Sequence, residues 1–190
     1  VWLRVEPTER GSGLEFVNSI FGGAISQSYV QSVEKGITAM MKDGVLAGCE
    51  FVDIKVEVYD GKEHPVDSKD VAFQKAGRGA FKLAVNNARP VLLEPIVNLE
   101  VSFPSEYTGD IQGDVTRRRG RVQGVDAQGD FQTIKALVPL AELTDYAGSL
   151  GSATGGQGAY TIEMAHYETV PGNLQQKVIE AYNAERNQED

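Results

Sequence analysis

Apolar and polar positions alternate at the start of the chain, where Val1, Leu3 and Val5 interleave with Trp2, Arg4 and Glu6. That two-residue period predicts a half-buried strand, ended by the turn-forming segment Pro7 to Gly13. After Gly22-Gly23 the period changes. Val30, Val33, Ile37 and Met41 recur three and four apart, predicting a helix with Ser28 and Gln31 as a capping box and Gly44 as its stop. Val52, Ile54, Val56 and Val58 then alternate with Asp53, Lys55, Glu57 and Tyr59, the clearest strand signal in the chain. A loop from Asp60 to Ser68 leads to a second helix over about Lys69 to Asn86, capped by Ser68 or Asp67. Ala72, Ala76, Ala80, Leu83 and Ala84 give that helix a thin apolar face, and Lys75, Arg78 and Lys82 line up on another.

After Pro95 the same kinds of pattern resume. Val97, Leu99, Val101 and Phe103 mark a strand, and a helix follows from about Ser105 to Arg117. Strands near Arg121 to Ala127 and Phe131 to Val138 are joined by the turn Gln128-Gly129-Asp130. A helix at Leu140 to Leu150 and a strand carrying Tyr160, Ile162 and Met164 complete a β-α-β-β-α-β order. That order is the split βαβ, or ferredoxin-like, arrangement. A last helix, about Asn173 to Glu185, is expected to pack by Leu174, Val178, Ile179 and Tyr182. The fold class is α+β in two domains, residues 1-92 and 93-190.

Composition narrows the class. The 190 residues, 41% hydrophobic and 24% charged, allow one sizeable core or two small ones. No apolar run approaches a membrane span and Val1 does not open a signal peptide, so a soluble, cytoplasmic protein without a membrane partner is expected. Cys49, the single cysteine, has no disulfide partner and reads as a small buried strand residue.

Charge divides the chain unevenly. Residues 1–92 carry 11 Lys and Arg against 12 Asp and Glu, a net of −1, whereas residues 93–190 carry 7 against 15, a net of −8. Phosphate binding depends on local clusters rather than on the total. From Lys62 to Arg89 six cations meet three anions, so this stretch is net +3 inside an acidic protein. Its basic stripe is either a solvated helix face or a phosphate contact.

No residue set announces catalysis. The glycine-rich run Gly151 to Gly158 lacks the lysine and the strand-to-helix placement of a phosphate loop, and reads as a connection between helix and strand. No Ser/His/Asp set, H-E-x-x-H helix or paired-cysteine ligand pattern occurs, and His64 and His166 fall in different expected domains. Arg117, Arg118 and Arg119 end a helix, where cations complement the carbonyl end of the dipole. They read as structural cations, paired within their domain ahead of any RNA contact.

Six ordered blocks then carry a resemblance: VEPTERGSGLEFVNSIFGG, LAGCEFVDIKVEVYDG, HPVDSKDVAF, RPVLLEPIVNLEV, YTGDIQGDVTRRRG and VPLAELTDYA. Over essentially its whole length the chain resembles the last two domains of translation elongation factor G. The resemblance implies a first domain like the second domain of ribosomal protein S5, with a left-handed crossover, its first strand and tip loop lying upstream of Val1. It implies a ferredoxin-like second domain. It also implies ribosome binding, with the first domain reaching the small-subunit decoding centre, tRNA and mRNA, and the second lying near the stalk base and large-subunit RNA. His64 occupies the tip histidine of the family motif G-x-x-H-x-V-D-S and would hydrogen-bond to or stack on RNA. Lys62, Lys75, Arg78 and Lys82 are the accompanying candidate contacts. No catalytic residue, cofactor or metal is expected in these domains, since GTP and Mg would belong to a nucleotide domain upstream.

The chain departs from that pattern in places. Ser26 stands where the family's G-G-x-I-P motif has proline, and Gly151, Gly155 and Gln157 replace basic residues, which suggests a divergent paralogue. A role in recycling rather than translocation, a ribosomal protection protein, or a protein-interaction module without an RNA role are the alternatives.

Overall fold

The computed structural model describes residues 1–64, 66 and 68–189, the last three by backbone alone. The chain divides into two compact units, Val1–Leu92 with Gly172–Asp190, and Leu93–Pro171.

The first unit has a three-stranded sheet of β1 (Trp2–Pro7), β2 (Leu14–Asn18) and β3 (Ile54–Asp60), in the spatial order β1-β3-β2. β1 runs antiparallel to β3, and β2 runs parallel to it. β2 has no counterpart among the sequence expectations, which end the first strand in a turn and resume only at a helix. Asp53 organises its entry: one carboxylate oxygen accepts the N–H groups of Gly11 and Gly13 at 3.0 and 3.1 Å. Ile54 N–H then bonds the Gly13 carbonyl at 3.0 Å, setting the register that follows.

Two helices pack on this sheet, α1 (Gln27–Asp43) and α2 (Asp70–Asn87). α1 buries Val30, Val33, Ile37, Met40 and Met41, the face its spacing indicates, and stops at Gly44 with φ 75°. Its N-cap is Ser26, not Ser28, and no side chain on the helix closes the first turn. α2 corrects the expected apolar face. Phe73, Gly77, Phe81 and Val85 are buried, whereas Ala72 and Ala76 face solvent and Leu83 is 68% exposed. The reason lies in the helix–helix contact. A side chain at Gly36 would overlap the Gln74 backbone, and one at Gly77 would sit 2.6 Å from the Val33 carbonyl oxygen. The two helices therefore approach through glycines, and phenylalanines a turn to either side fill the core. Lys69, not Ser68, is the N-cap of α2, and the Ser68 hydroxyl accepts the His64 N–H instead; Asp67, the other expected cap, lies outside the described residues.

The last helix, α5 (Gly172–Glu189), belongs with the first unit and not with residues 93–190 as the sequence order suggests. Its Gln175 side chain accepts the Leu92 N–H at 2.8 Å, and the Tyr182 ring lies where a side chain at Gly48 would meet it at 2.7 Å. Leu174, Ile179 and Tyr182 are half-buried, but Val178 is 45% exposed. Cys49 is exposed in the loop beside Gly48, not buried in a strand, because β3 starts only at Ile54.

The second unit is a four-stranded antiparallel sheet in the order β5-β6-β4-β7. Its strands are β4 (Leu93–Pro104), β5 (Arg121–Gln128), β6 (Phe131–Pro139) and β7 (Ala159–Thr169). With α3 (Thr108–Arg117) and α4 (Tyr146–Ala153) it makes the split βαβ arrangement. Val97, Leu99, Val101 and Phe103 of β4 meet Ile134, Ala136 and Val138 of β6 beneath Ile111, Val115 and Leu150. The glycine-rich run begins as the end of α4, at Gly151–Ala153, and continues as a turn into β7. Thr154 is fully buried, and its hydroxyl accepts the Gly158 N–H at 2.9 Å.

Candidate nucleic-acid interface

Because β2 and β3 are parallel, the loops that leave them emerge at the same end of the first unit. The first loop spans residues 19–26 and opens α1, and the second spans 61–69 and opens α2. His64 and Lys62, both exposed, lie on the second loop.

Three contacts fix that loop to the fold. Gly61 is buried against Ile25, leaving no room for a side chain, and its N–H donates to Asp60 Oδ1 at 2.7 Å. Glu63 Oε2 accepts the Ser26 N–H at 2.6 Å, so a carboxylate from one loop sits on the first turn of the helix opened by the other. On the far side, Tyr29 of α1 donates its hydroxyl to the Ser68 carbonyl at 2.9 Å, and its ring stacks on Phe73 of α2 at 4.5 Å and 13°.

His64 is bracketed by its own loop. Its N–H donates to Ser68 Oγ at 2.8 Å, and the Ser68 N–H returns a bond of 3.3 Å to the His64 carbonyl. Val66 N–H donates to His64 Nδ1 at 3.3 Å. An accepting Nδ1 puts the proton of the neutral ring on Nε2, so the ring edge is a donor at one nitrogen. The loop presents this imidazole beside Val66, which is 81% exposed. Pro65 and Asp67 of the sequence motif lie outside the described residues.

The remaining cations are arranged differently. Lys75, Arg78 and Lys82 are exposed along one line of α2. At 1.5 Å per residue the line runs about 10 Å from Lys75 to Lys82, away from the His64 loop. Arg78 is not a bare cation, since its guanidinium meets Asp43 of α1 at 2.5 Å. The structure thus gathers Lys62 with His64 at one end and leaves the other three along the flank.

Arg117, Arg118 and Arg119 belong to the second unit, and each meets a carboxylate. Arg119 clasps both oxygens of Glu94 at 2.7 Å each and reaches Glu142 at 2.8 Å. These bonds, led by those to Glu94, raise its pKa despite burial. Arg118 bonds Asp114 and Asp145 at 2.8 Å each, the Glu142 carbonyl at 2.5 Å and Ser149 Oγ at 2.9 Å. Burial opposes its charge, but the bonds to Asp145 and Asp114 outweigh it and the pKa rises. Its guanidinium also lies 5.2 Å from the ring centre of Tyr146, whose buried hydroxyl has no hydrogen-bond partner among the described residues. Burial, with the nearby Asp114 charge, pushes that phenol up to about 12. Arg117 stays exposed, with Asp114 at 3.3 Å.

Two residues of this end escape the sequence patterns. Glu63 acts across 37 positions, and no periodicity registers such a contact. Phe21, beside Gly22-Gly23, is 93% exposed, and an aromatic outside any helical or strand period is its one signal. Among the described residues no group of His, Cys, Asp and Glu is disposed to hold a metal, and no helix is long and apolar enough to cross a membrane.

Comparison with known proteins agrees with the two-part organisation. A family model for elongation factor G domain IV matches residues 1–89, and one for the elongation factor G C-terminus matches residues 91–178. A crystal structure of a protein from Thermus thermophilus is similar with a TM-score of 0.79 at 44% identity. The match covers 97% of this chain and 27% of that one, so the chain spans about a quarter of that relative's length. Matched along nearly all of its length by consecutive domains of one family, the chain belongs to the elongation factor G family.

Proposed function

We propose that the chain is the ribosome-binding C-terminal portion of an elongation factor G-like translational GTPase, whose first unit enters the decoding centre to support movement of tRNA and mRNA. The observation that carries this reading is the braced loop of His64. An exposed imidazole is fixed by its own backbone, by Tyr29 and by the Glu63–Ser26 bond at the end where two loops and two helix N-termini converge. An exposed imidazole on a loop tied to both helices suits contact with RNA, where loops and unpaired bases are read by hydrogen bonds and stacking.

The second unit has a different part in this proposal. Arg118 and Arg119 are consumed by internal carboxylates, so they act as structural cations. Ribosomal contacts of that unit, with large-subunit RNA and the stalk base, fall to other surfaces. GTP and Mg would be bound by a separate nucleotide domain of the whole protein, and the chain's own contribution is positional.

His64→Ala in the full-length protein tests the reading. Single-round translocation on ribosomes should slow at least tenfold while ribosome-stimulated GTP hydrolysis persists. Unchanged translocation, or a comparable loss in ribosome splitting without any in translocation, would replace this reading by a recycling role.

A further inference from the structure

Phe21 is the most exposed of the large apolar side chains among the described residues, at 93%. Its loop is not slack. On one side Asn18 Oδ1 accepts the Ile20 N–H at 3.1 Å, and Asn18 Nδ2 donates to Gln27 Oε1 at 3.1 Å. On the other, Ile25 is buried in the core against Gly61. Between these anchors Gly22 and Gly23 take φ values of 68° and 70°, with nothing within 4 Å of a side chain built at either. Glycine is needed there for the backbone turn, not for space. A fixed turn thus holds a whole phenyl ring in water.

We propose that Phe21 is a stacking platform for an unpaired nucleobase, a second RNA-contacting residue on the end that carries His64. The inference rests on the reading of that end as ribosome-facing, and it adds the ligand chemistry of a separate loop. Exposed flat rings are how proteins stack unpaired bases. Among the described residues the acids nearby are held by the protein, Asp60 by the Gly61 N–H, Glu63 by the Ser26 N–H and Asp70 by the Ser32 hydroxyl at 2.9 Å, and the loop that carries Phe21, residues 19–26, holds no acid. Lys62 and Lys69 are exposed, and the N-termini of α1 and α2, the positive ends of their dipoles, open onto the same side. An apolar protein groove or a bilayer would call for a continuous apolar patch. Here the exposed Phe21 and Val66 belong to different loops, and Lys62, Glu63 and His64 precede Val66 on its own.

The test uses the full-length protein with Phe21→Ala, Phe21→Leu and Phe21→Trp, with His64→Ala in parallel. The readouts are affinity for 70S ribosomes carrying mRNA and tRNA, and cross-linking from a photoreactive phenylalanine at position 21. Stacking predicts a roughly 5- to 150-fold loss of affinity for Ala. Leu should lose most of the same affinity, Trp should keep it, and the cross-link should form to RNA. Thermal midpoints of all three should equal wild type, because the ring touches no core. Leu behaving as wild type, a cross-link to ribosomal protein alone, or Phe21-dependent binding to anionic vesicles would overturn the inference. If His64→Ala weakens binding and Phe21→Ala does not, this inference fails and the ribosome-facing reading stands. If neither variant changes anything, that reading fails as well.

Discussion

Glu63 accepts the backbone N–H of Ser26 at 2.6 Å, tying the His64 loop to the first turn of α1. In a helix whose N-cap side chain makes no cap bond, this carboxylate satisfies the N–H of the N-cap residue, as the acidic member of a capping box would. Glu63→Ala should therefore cost about 1 kcal/mol in urea unfolding, the usual worth of an N-cap. Glu63→Gln keeps an accepting oxygen and should recover about half of that loss. Equal stabilities for all three proteins would show that the bond contributes nothing.

Arg119 and Glu94 make an enclosed ion pair, with Glu94 only 9% exposed. Truncating either partner leaves a desolvated charge, so Arg119→Met or Glu94→Leu should each destabilise the second unit by about 3 kcal/mol. The double variant removes both charges and should cost less than either single change. A double-mutant cycle by chemical denaturation measures this coupling, and additive losses would contradict it.

Two glycines of α2, two positions apart, should respond with opposite signs. Gly77→Ala drives a methyl to 2.6 Å from the Val33 carbonyl and should destabilise by about 1–3 kcal/mol. Gly79 has nothing within 4 Å, so Gly79→Ala should stabilise by roughly 0.5–1 kcal/mol through helix propensity alone. Thermal unfolding of the two variants checks both signs at once.

Acid should weaken the second unit in a defined direction. Bonds to Arg118 hold Asp145 below its ordinary value of 3.8, and bonds to Arg121 and then His166 hold Glu168 below 4.5. A depressed folded-state pKa gives stability that is fully present above the unfolded value and lost as pH falls through the folded one. The contribution of these groups should thus be complete above about pH 5 and fade below pH 4.5 and 3.8 in turn. Arg118→Met abolishes the Asp145 part. Its stability deficit relative to wild type should shrink as pH drops from about 5 to about 3, followed by calorimetry, and a deficit that stays constant would exclude the pairing as its source.

Strands buried on one face are legible because burial imposes a two-residue period: β3 and β4 show it, and their alternating valines fill the two cores. The face of α2 misleads for the opposite reason. Its closest contact is made by Gly77, which adds nothing to an apolar tally, while the prominent Leu83 points to solvent. β2 is hidden because Leu14 and Phe16 offer only two alternations, and a carboxylate 40 positions away sets its start. The His64 loop is legible as a motif. Its bracing is not, because Glu63, Tyr29 and Ile25 act on partners remote in sequence.

Helix α5 gives the chain an unusual order of assembly. The unit that holds His64 has its sheet and first two helices encoded ahead of the second unit, yet its last helix is encoded after the whole of it. Synthesis therefore yields β1 to α2 early, with Gly48 and Leu92 lacking Tyr182 and Gln175 until the intervening unit has been made. A stop codon just after Pro171 would leave the second unit's sequence entire and injure the first.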